Sequence, residues 1–280
     1  MADVSEDGKV TPLYTDLKTT RLGEGIQGGI LLPGPVARTV EAMRYMKERA
    51  LEYSTPVVLA AGTSAVRDAA NSEFFLGEVF RQTGLSLRVL GGGEEALYSY
   101  LGVTSGFGEL NSAVITDIGG GSTEFTWSKK GIVICRSVNA GAVRMTEGGH
   151  GDAQILRIMK KVLDEVRGEA PSELIGVGGT VTTLAAIDLA LEVYDRSLVH
   201  GYRLNVETIY SIRETLIRVG PGGRKKIPGL QPARSDIILA GVRILIQLMD
   251  YLGMREIVVS EADLMYGLAL EAAKSVGKNI

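Results

Sequence analysis

Residues 115–125 read ITDIGGGSTEF: an apolar run that ends on Asp117, drops into three glycines, leaves through Ser122 and Thr123 and meets a second carboxylate at Glu124. The run before the glycines has the composition of a buried strand, and "STEFTWS" after them alternates as a strand does. "KKG" is a turn and "IVICRSV" another strand. "GDAQILRIMKKVLDEVR" then places apolar residues at helical spacing. "SELIGVGG" reads as a strand and "TVTTLAAIDLALEVY" as a helix, with further helices at "VETIYSIRETLIRV" and "RSDIILAGVRILIQLMDYL". "REIVVSEA" is a last strand and "DLMYGLALEAAKSV" a last helix. The skeleton is β-β-β-α-β-α-β-α with inserted helices, the alternation of an α/β protein.

The first half follows the same order from its second member onward. "ADVS", the turn "EDGK" and "VTPLYTDLK" form a hairpin like that of "TEFTWS" and "IVICRSV". "VARTVEAMRYMKERALEY" is a helix, "PVVLAAG" a strand, "SAVRDAAN" and "SEFFLGEVFRQTG" helical, "LSLRVLGGG" a strand and "EEALYSYLGVTSG" a helix. The pattern predicts a tandem duplication of one α/β unit, with the boundary near "GFGELN" at 106–111. Nothing in the first repeat matches "SAVITDIGGG".

Composition narrows the chemistry. With 280 residues the chain has length for two ordinary domains, and 45% hydrophobic with 22% charged residues is a globular composition. A net charge of −3 argues against a nucleic-acid binder, so a polyanion would need a local basic site. One cysteine, Cys135, cannot form an internal disulfide, and this fits a reducing cytoplasm. No apolar run approaches the ~20 residues of a membrane span, and "MADVSEDGKV" is too polar for a signal peptide. Two histidines, His150 and His200, leave no histidine-rich metal site.

Glycines after a strand let backbone N–H groups converge on an anion, because no Cβ blocks the approach. Gly119, Gly120 and Gly121 are such a cradle, with hydroxyls from Ser122 and Thr123, while Asp117 and Glu124 are hard oxygen ligands suited to Mg²⁺. The bland alternative is a hairpin turn with two solvated acids. "IGVGGTVTTL" repeats the logic with Gly178, Gly179 and Thr180 at a helix start, where free N–H groups and the helix dipole favour phosphate. Its alternative is a tight turn with Thr180 as N-cap. In "LGGGEEALYSYLGV", Glu94 and Glu95 open a helix, either as dipole complements or as a general base. Arg67 in "GTSAVRDAAN" follows a strand end and has the fork of donors that holds phosphate oxygens. "GGRKK" at 222–226 reads as a solvated basic loop, with contact to a polyanion as the alternative, and His200 as a structural hydrogen-bonding residue.

Taken together, "ITDIGGGSTEF", "GGGEEALYSYLGV", "TSAVRDAAN", "VNAGAVRMTE", "IGVGGTVTTLAAID" and "PGLQPARSDIILAG" resemble, in order and spacing, the exopolyphosphatase/guanosine pentaphosphate phosphatase family. That family belongs with actin, the sugar kinases and the heat-shock ATPases. The resemblance runs from about Arg21 to the end, in the family's short form. It implies two ribonuclease-H-like (actin-like ATPase) domains, residues 1–108 and 109–280, the last helix packing back on the first domain. It implies Glu95 as catalytic base, and Asp117 and Glu124 as the acids associated with Mg²⁺. Gly119, Gly120, Gly121 and Ser122, with Gly178, Gly179 and Thr180, match the phosphate loops, and Arg67 the arginine near the phosphate. The implied reaction is hydrolysis of the terminal phosphoanhydride of inorganic polyphosphate, with guanosine pentaphosphate as a second substrate. A homodimer is compatible with it, and no nucleic acid or membrane partner is implied.

Three departures stand out. The family usually carries a serine before the glycine or polar residue that precedes "EEA", and this chain reads "GGGEEA", without that donor near the base. "VSEADLMYG" places Glu261 and Asp263 where the family has aspartate and glycine. The family's opening "DIGSNS" strand and loop, the first repeat's counterpart of "DIGGGS", has no match. A sheet lacking that inner strand would leave edge N–H and C=O groups unpaired, at ~1–3 kcal/mol for each one buried. The expectation is that Met1 is not the biological start, or that this is a truncated copy; in-frame upstream codons would support it, and a native N-terminus at Met1 or Ala2 would refute it. The competing readings are a kinase of the same superfamily and a catalytically impaired phosphate or nucleotide sensor.

Overall fold

The computed structural model describes residues 1–108, 110 and 112–277, with only the backbone of Gln27. The chain forms two compact units: Met1–Gly106 together with the stretch that begins at Leu264, and Phe107–Asp263.

The first unit opens with an antiparallel hairpin, β1 (Ala2–Val4) and β2 (Val10–Pro12). Helix α1 (Pro33–Glu52) follows, started by a proline in its first turn where no N–H is needed. Then come β3 (Ala60–Gly62), the single turn α2 (Ser64–Arg67), α3 (Ser72–Thr83), β4 (Leu87–Val89) and α4 (Gly92–Phe107). β3 and β4 pair in parallel and make a two-stranded sheet separate from the hairpin. Val36, Val40, Val66, Phe75 and Val79 form the core that α1, α2 and α3 share.

The second unit carries β5 (Ala113–Ile118), β6 (Thr123–Lys129), β7 (Ile132–Val138), α5 (Ala142–Glu147), α6 (Asp152–Gly168), β8 (Glu173–Val177) and α7 (Gly179–Asp188). It continues with α8 (Arg196–Val199), β9 (Arg203–Asn205), α9 (Val206–Arg224), α10 (Ile238–Leu252) and β10 (Glu256–Val259). One six-stranded mixed sheet runs β7-β6-β5-β8-β10-β9. β5, β8 and β10 are parallel, and the others are antiparallel to their neighbours. α6, α7, α9 and α10 bury their apolar faces in one large core with Val114, Phe125, Leu174, Ile257 and Val259. The last helix, α11 (Leu264–Ser275), belongs to the first unit, where Leu270 and Ala273 pack on Val4 and Val10.

Each unit, taken by itself, repeats one strand-to-strand pattern. The Leu90 N–H donates to the Gly62 carbonyl at 2.8 Å, and the Ser260 N–H donates to the Gly176 carbonyl at 2.8 Å. Ala61 opposes Arg88 as Ile175 opposes Val258. Among the described residues the first unit has no strand in the place that β5 holds in the second.

Several elements differ from the sequence pattern. The loop expected at 222–226 is helical over its first three residues: α9 continues to Arg224 across a break at Gly220, where φ is 64° and Pro221 follows, and a turn takes up 225–226. Arg224 is buried rather than solvated, donating to the Leu216 carbonyl at 2.9 Å. The helix expected over 180–194 stops at Asp188. β9 and α5 are additions that the period did not show, and "PVVLAAG" forms a strand only over its last three residues.

Candidate phosphate-binding and water-activating residues

The first glycine turn joins β5 to β6 immediately after Ile118, which opposes Thr123. Its carbonyls are tied down. Ala142 N–H donates to Gly119, Val143 and Arg144 N–H to Gly120, and Arg144 Nε to Gly121, all within 2.7–3.0 Å. A Cβ on Gly141 would stand 2.4 Å from the Gly120 carbonyl, so only glycine lets α5 approach this closely. Gly119 N–H closes the turn on Ser122 O at 3.0 Å. Among the described residues no acceptor bonds the N–H of Gly120, Gly121 or Ser122. Backbone held by its carbonyls presents its N–H groups, the arrangement of an anion cradle. Thr123, expected as a further hydroxyl donor, is buried and donates to the Ala140 carbonyl instead.

The second turn opens α7. Gly178 sits at φ 87° as the cap residue and makes no side-chain cap, so Thr180 is not the N-cap. Thr180 is buried with its hydroxyl against Gly241 of α10, leaving the backbone N–H groups of Gly179–Val181 as the unpaired donors of the first helical turn. The guanidinium of Arg234 covers them: a Cβ on Gly179 would stand 1.5 Å from its Nη1. Burial pulls the pKa of Arg234 below the usual arginine value, opposed by nearby Tyr194 and Glu261. Among the described residues its side chain has no hydrogen bond or ion pair. A half-buried cation beside a helix N-terminus is a site for an anion.

Asp117 and Glu124 oppose each other on β5 and β6. Side chains directly across an antiparallel pair share a face, with Cβ atoms ~4.5–5.5 Å apart, and like charges there repel unless a cation intervenes. Glu124 Oε1 accepts from Ser137 Oγ at 2.7 Å, and Asp117 Oδ1 lies 2.6 Å from where a Cβ on Gly178 would stand. Among the described residues no group of three or more metal-ligating side chains occurs. Two carboxylates beside glycine turns nonetheless have the donor chemistry that suits Mg²⁺, which binds through one or two carboxylates, water and phosphate.

In the first unit the two acids of α4 separate clearly. Glu94 is exposed and accepts from Gly91 N–H at 2.9 Å while pairing with Arg88 at 2.6 Å, an ordinary helix-start role. Glu95 is buried, 8% exposed, and its Oε2 lies 3.2 Å from Arg67 Nη1. Burial pushes its carboxyl above the usual range, against the opposing pull of Arg67 and with Asp68 adding to the rise. A carboxylate tuned upward toward neutrality is a better proton acceptor at cellular pH. Arg67, read in the sequence as a phosphate holder, spends Nη1 on the Leu90 carbonyl at 2.7 Å and on Glu95.

Glu261, one of the family departures, pairs with Arg196 at 2.7 Å and accepts from Tyr194, while its N–H donates to His200 Nδ1 at 3.2 Å. His200 is a structural acceptor with a pKa lowered by burial. Arg144 and Arg234 were missed as site residues. Both lie in segments that carried the family resemblance, "VNAGAVRMTE" and "PGLQPARSDIILAG", but no spacing rule ties either arginine to a glycine turn far away in sequence.

The profile of the Ppx/GppA phosphatase family matches residues 2–276. Exopolyphosphatase 2 of Mycobacterium tuberculosis is 30% identical over 292 residues, covering 95% of this chain and 91% of that protein. The bifunctional 3-dehydroquinate synthase/phosphatase of Fusobacterium nucleatum is 31% identical over 282 residues, or 94% of this chain; the chain spans only 42% of that relative's length. Among solved structures, the Aquifex aeolicus Ppx/GppA family member superposes with TM-score 0.77 at 27% identity, over 99% of this chain and 93% of that one. An exopolyphosphatase from Cytophaga hutchinsonii reaches TM-score 0.88 at 22% identity, over 100% and 95%, a likeness of fold. With the profile spanning nearly its whole length, the chain belongs to the Ppx/GppA phosphatase family.

Proposed function

We propose that this chain is an exopolyphosphatase, hydrolysing the terminal phosphoanhydride of inorganic polyphosphate, with guanosine pentaphosphate as a second substrate. Family membership and the named activity of the Mycobacterium tuberculosis relative support the reaction class. The observation that carries the assignment is the first glycine turn, whose carbonyls are all tied down so that its N–H groups present outward. The finer fold reading, two ribonuclease-H-like domains, is supported by the strand-to-strand pattern that recurs within each unit. The lone cysteine is in keeping with a cytoplasmic setting.

In the reaction, Glu95 takes a proton from water as the water oxygen bonds the end phosphorus. The bond from that phosphorus to the bridging oxygen breaks, and orthophosphate leaves a chain shorter by one phosphate. The N–H groups of Gly120–Ser122 and Gly179–Val181, with Arg234, hold the charge on the phosphoryl oxygens. Arg67 orients Glu95. Asp117 and Glu124 would hold Mg²⁺, whose charge offsets that of the phosphates. Orthophosphate release from polyphosphate, guanosine pentaphosphate and ATP, with and without Mg²⁺, tests the reading. Release from polyphosphate without any acceptor is expected; release only when an acceptor is phosphorylated would favour a kinase.

A further inference from the structure

The segment 222–226 stands out because the reaction above makes no use of its charge. Arg224 is 8% exposed, yet among the described residues it has no carboxylate partner: Nε donates to the Leu216 carbonyl at 2.9 Å and Nη1 to the Ser235 carbonyl at 3.4 Å. Ser235 adjoins Arg234, the guanidinium over Gly179. Arg224 also feels the positive charge of Arg243, which lowers its pKa after burial does. Arg243 in turn shares Asp152 with Arg213, at 3.4 and 4.0 Å. Lys225 and Lys226 are exposed beside Arg224. The cations therefore form a run within the second unit, leading from the second glycine turn along α9 and α10. The carboxylates that meet it are Asp152, Glu214 on Arg213, Asp236 near Arg224 and Glu261 near Arg234. Six cations against these four carboxylates leave a net positive strip on a chain whose total charge is −3.

Holding like charges side by side, with Arg224 among them buried, costs stability, so such a strip is expected where a polyanion compensates it. A single orthophosphate needs only the glycine turns and Arg234. We propose that Arg213, Arg243, Lys225 and Lys226, with the field of buried Arg224, carry the phosphates of a polyphosphate chain beyond those held at the second glycine turn. The strip makes the chain selective for long polyphosphate over tripolyphosphate. This rests on the polyphosphate reading of the preceding section.

The test measures equilibrium binding of labelled long-chain polyphosphate and of tripolyphosphate at several salt concentrations, in a Glu95→Gln background so that the ligand is not cut. Two variants are compared: Arg213→Gln/Arg243→Gln, and Lys225→Gln/Lys226→Gln, whose exposed lysines take part in no core packing. The expected result is that each variant weakens long-chain binding by about tenfold and flattens its salt dependence, as loss of counterion-releasing contacts does. Tripolyphosphate binding should stay unchanged. Equal weakening for both ligands, or none for the long chain in the lysine variant, would overturn the proposal. Because turnover is not the readout, absence of hydrolysis by the unaltered chain would count against the enzyme reading and not against the strip.

Discussion

The two units build the same strand-to-strand junction with different success. In the second, Leu174 and Ile175 of β8 are 1% exposed, flanked by β5 on one side and β10 on the other. In the first, β3 pairs only with β4, and the residues leading into it, Val58 and Leu59, are 39% and 44% exposed. Val-Val-Leu has at least the strand propensity of Glu-Leu-Ile, yet the first forms no ladder and the second does. Strand length here is set by cross-strand partners, as expected when β-propensity measures packing on neighbours and not a local preference. The chemistry divides along the same line. The continuous sheet of the second unit leads into both glycine turns, and in the first unit helix α4, which follows β4, carries the buried Glu95.

That division can be broken experimentally. The largest effect is expected from Glu95→Gln: polyphosphate turnover should fall by about 10²–10⁴-fold, the usual contribution of a general base, with KM nearly unchanged. A KM effect with intact kcat would move Glu95 into binding. Next, Ile175→Ala should lower stability to urea by about 2–5 kcal/mol, the cost of emptying a packed core position. Leu59→Ala should stay within about 0.5 kcal/mol. Equal losses would mean that the first unit is as well packed at this junction as the second.

Gly179→Ala should then displace Arg234, since its Cβ would overlap the guanidinium, and raise KM by about tenfold with kcat less affected. An unchanged KM would remove Arg234 from phosphate binding. The smallest effect is a pH shift. As a general base Glu95 would act in its ionised form, so activity should rise with pH as it loses its proton, in a range lifted by burial. Arg67 holds that range down, so Arg67→Gln should move the acid limb of the pH–rate profile upward. A limb that stays in place would mean that Arg67 does not tune Glu95.

Much of this was legible in the sequence because it is local. The glycine turns announce themselves through consecutive glycines at strand ends, and the cross-strand pairing of Asp117 with Glu124 follows from a tight hairpin. The buried state of Glu95 against the exposed one of Glu94 was not legible, since adjacent residues on a helix differ only through what packs on them. Arg224 read as solvated because Gly-Pro-Gly-Gly looked like a loop; tertiary packing let α9 resume after the break at Gly220. Arg234 and Arg144 depend on contacts 55 and 23 residues away, from Gly179 and Gly121, which no window of the sequence contains.

The most direct measurement is the fate of oxygen when the unaltered chain acts on polyphosphate in water enriched in the heavy oxygen isotope. Water activated by Glu95 and delivered to the end phosphorus places one heavy oxygen in each orthophosphate released and none in the shortened chain. Heavy oxygen in the remaining chain, or orthophosphate carrying none, would contradict the account.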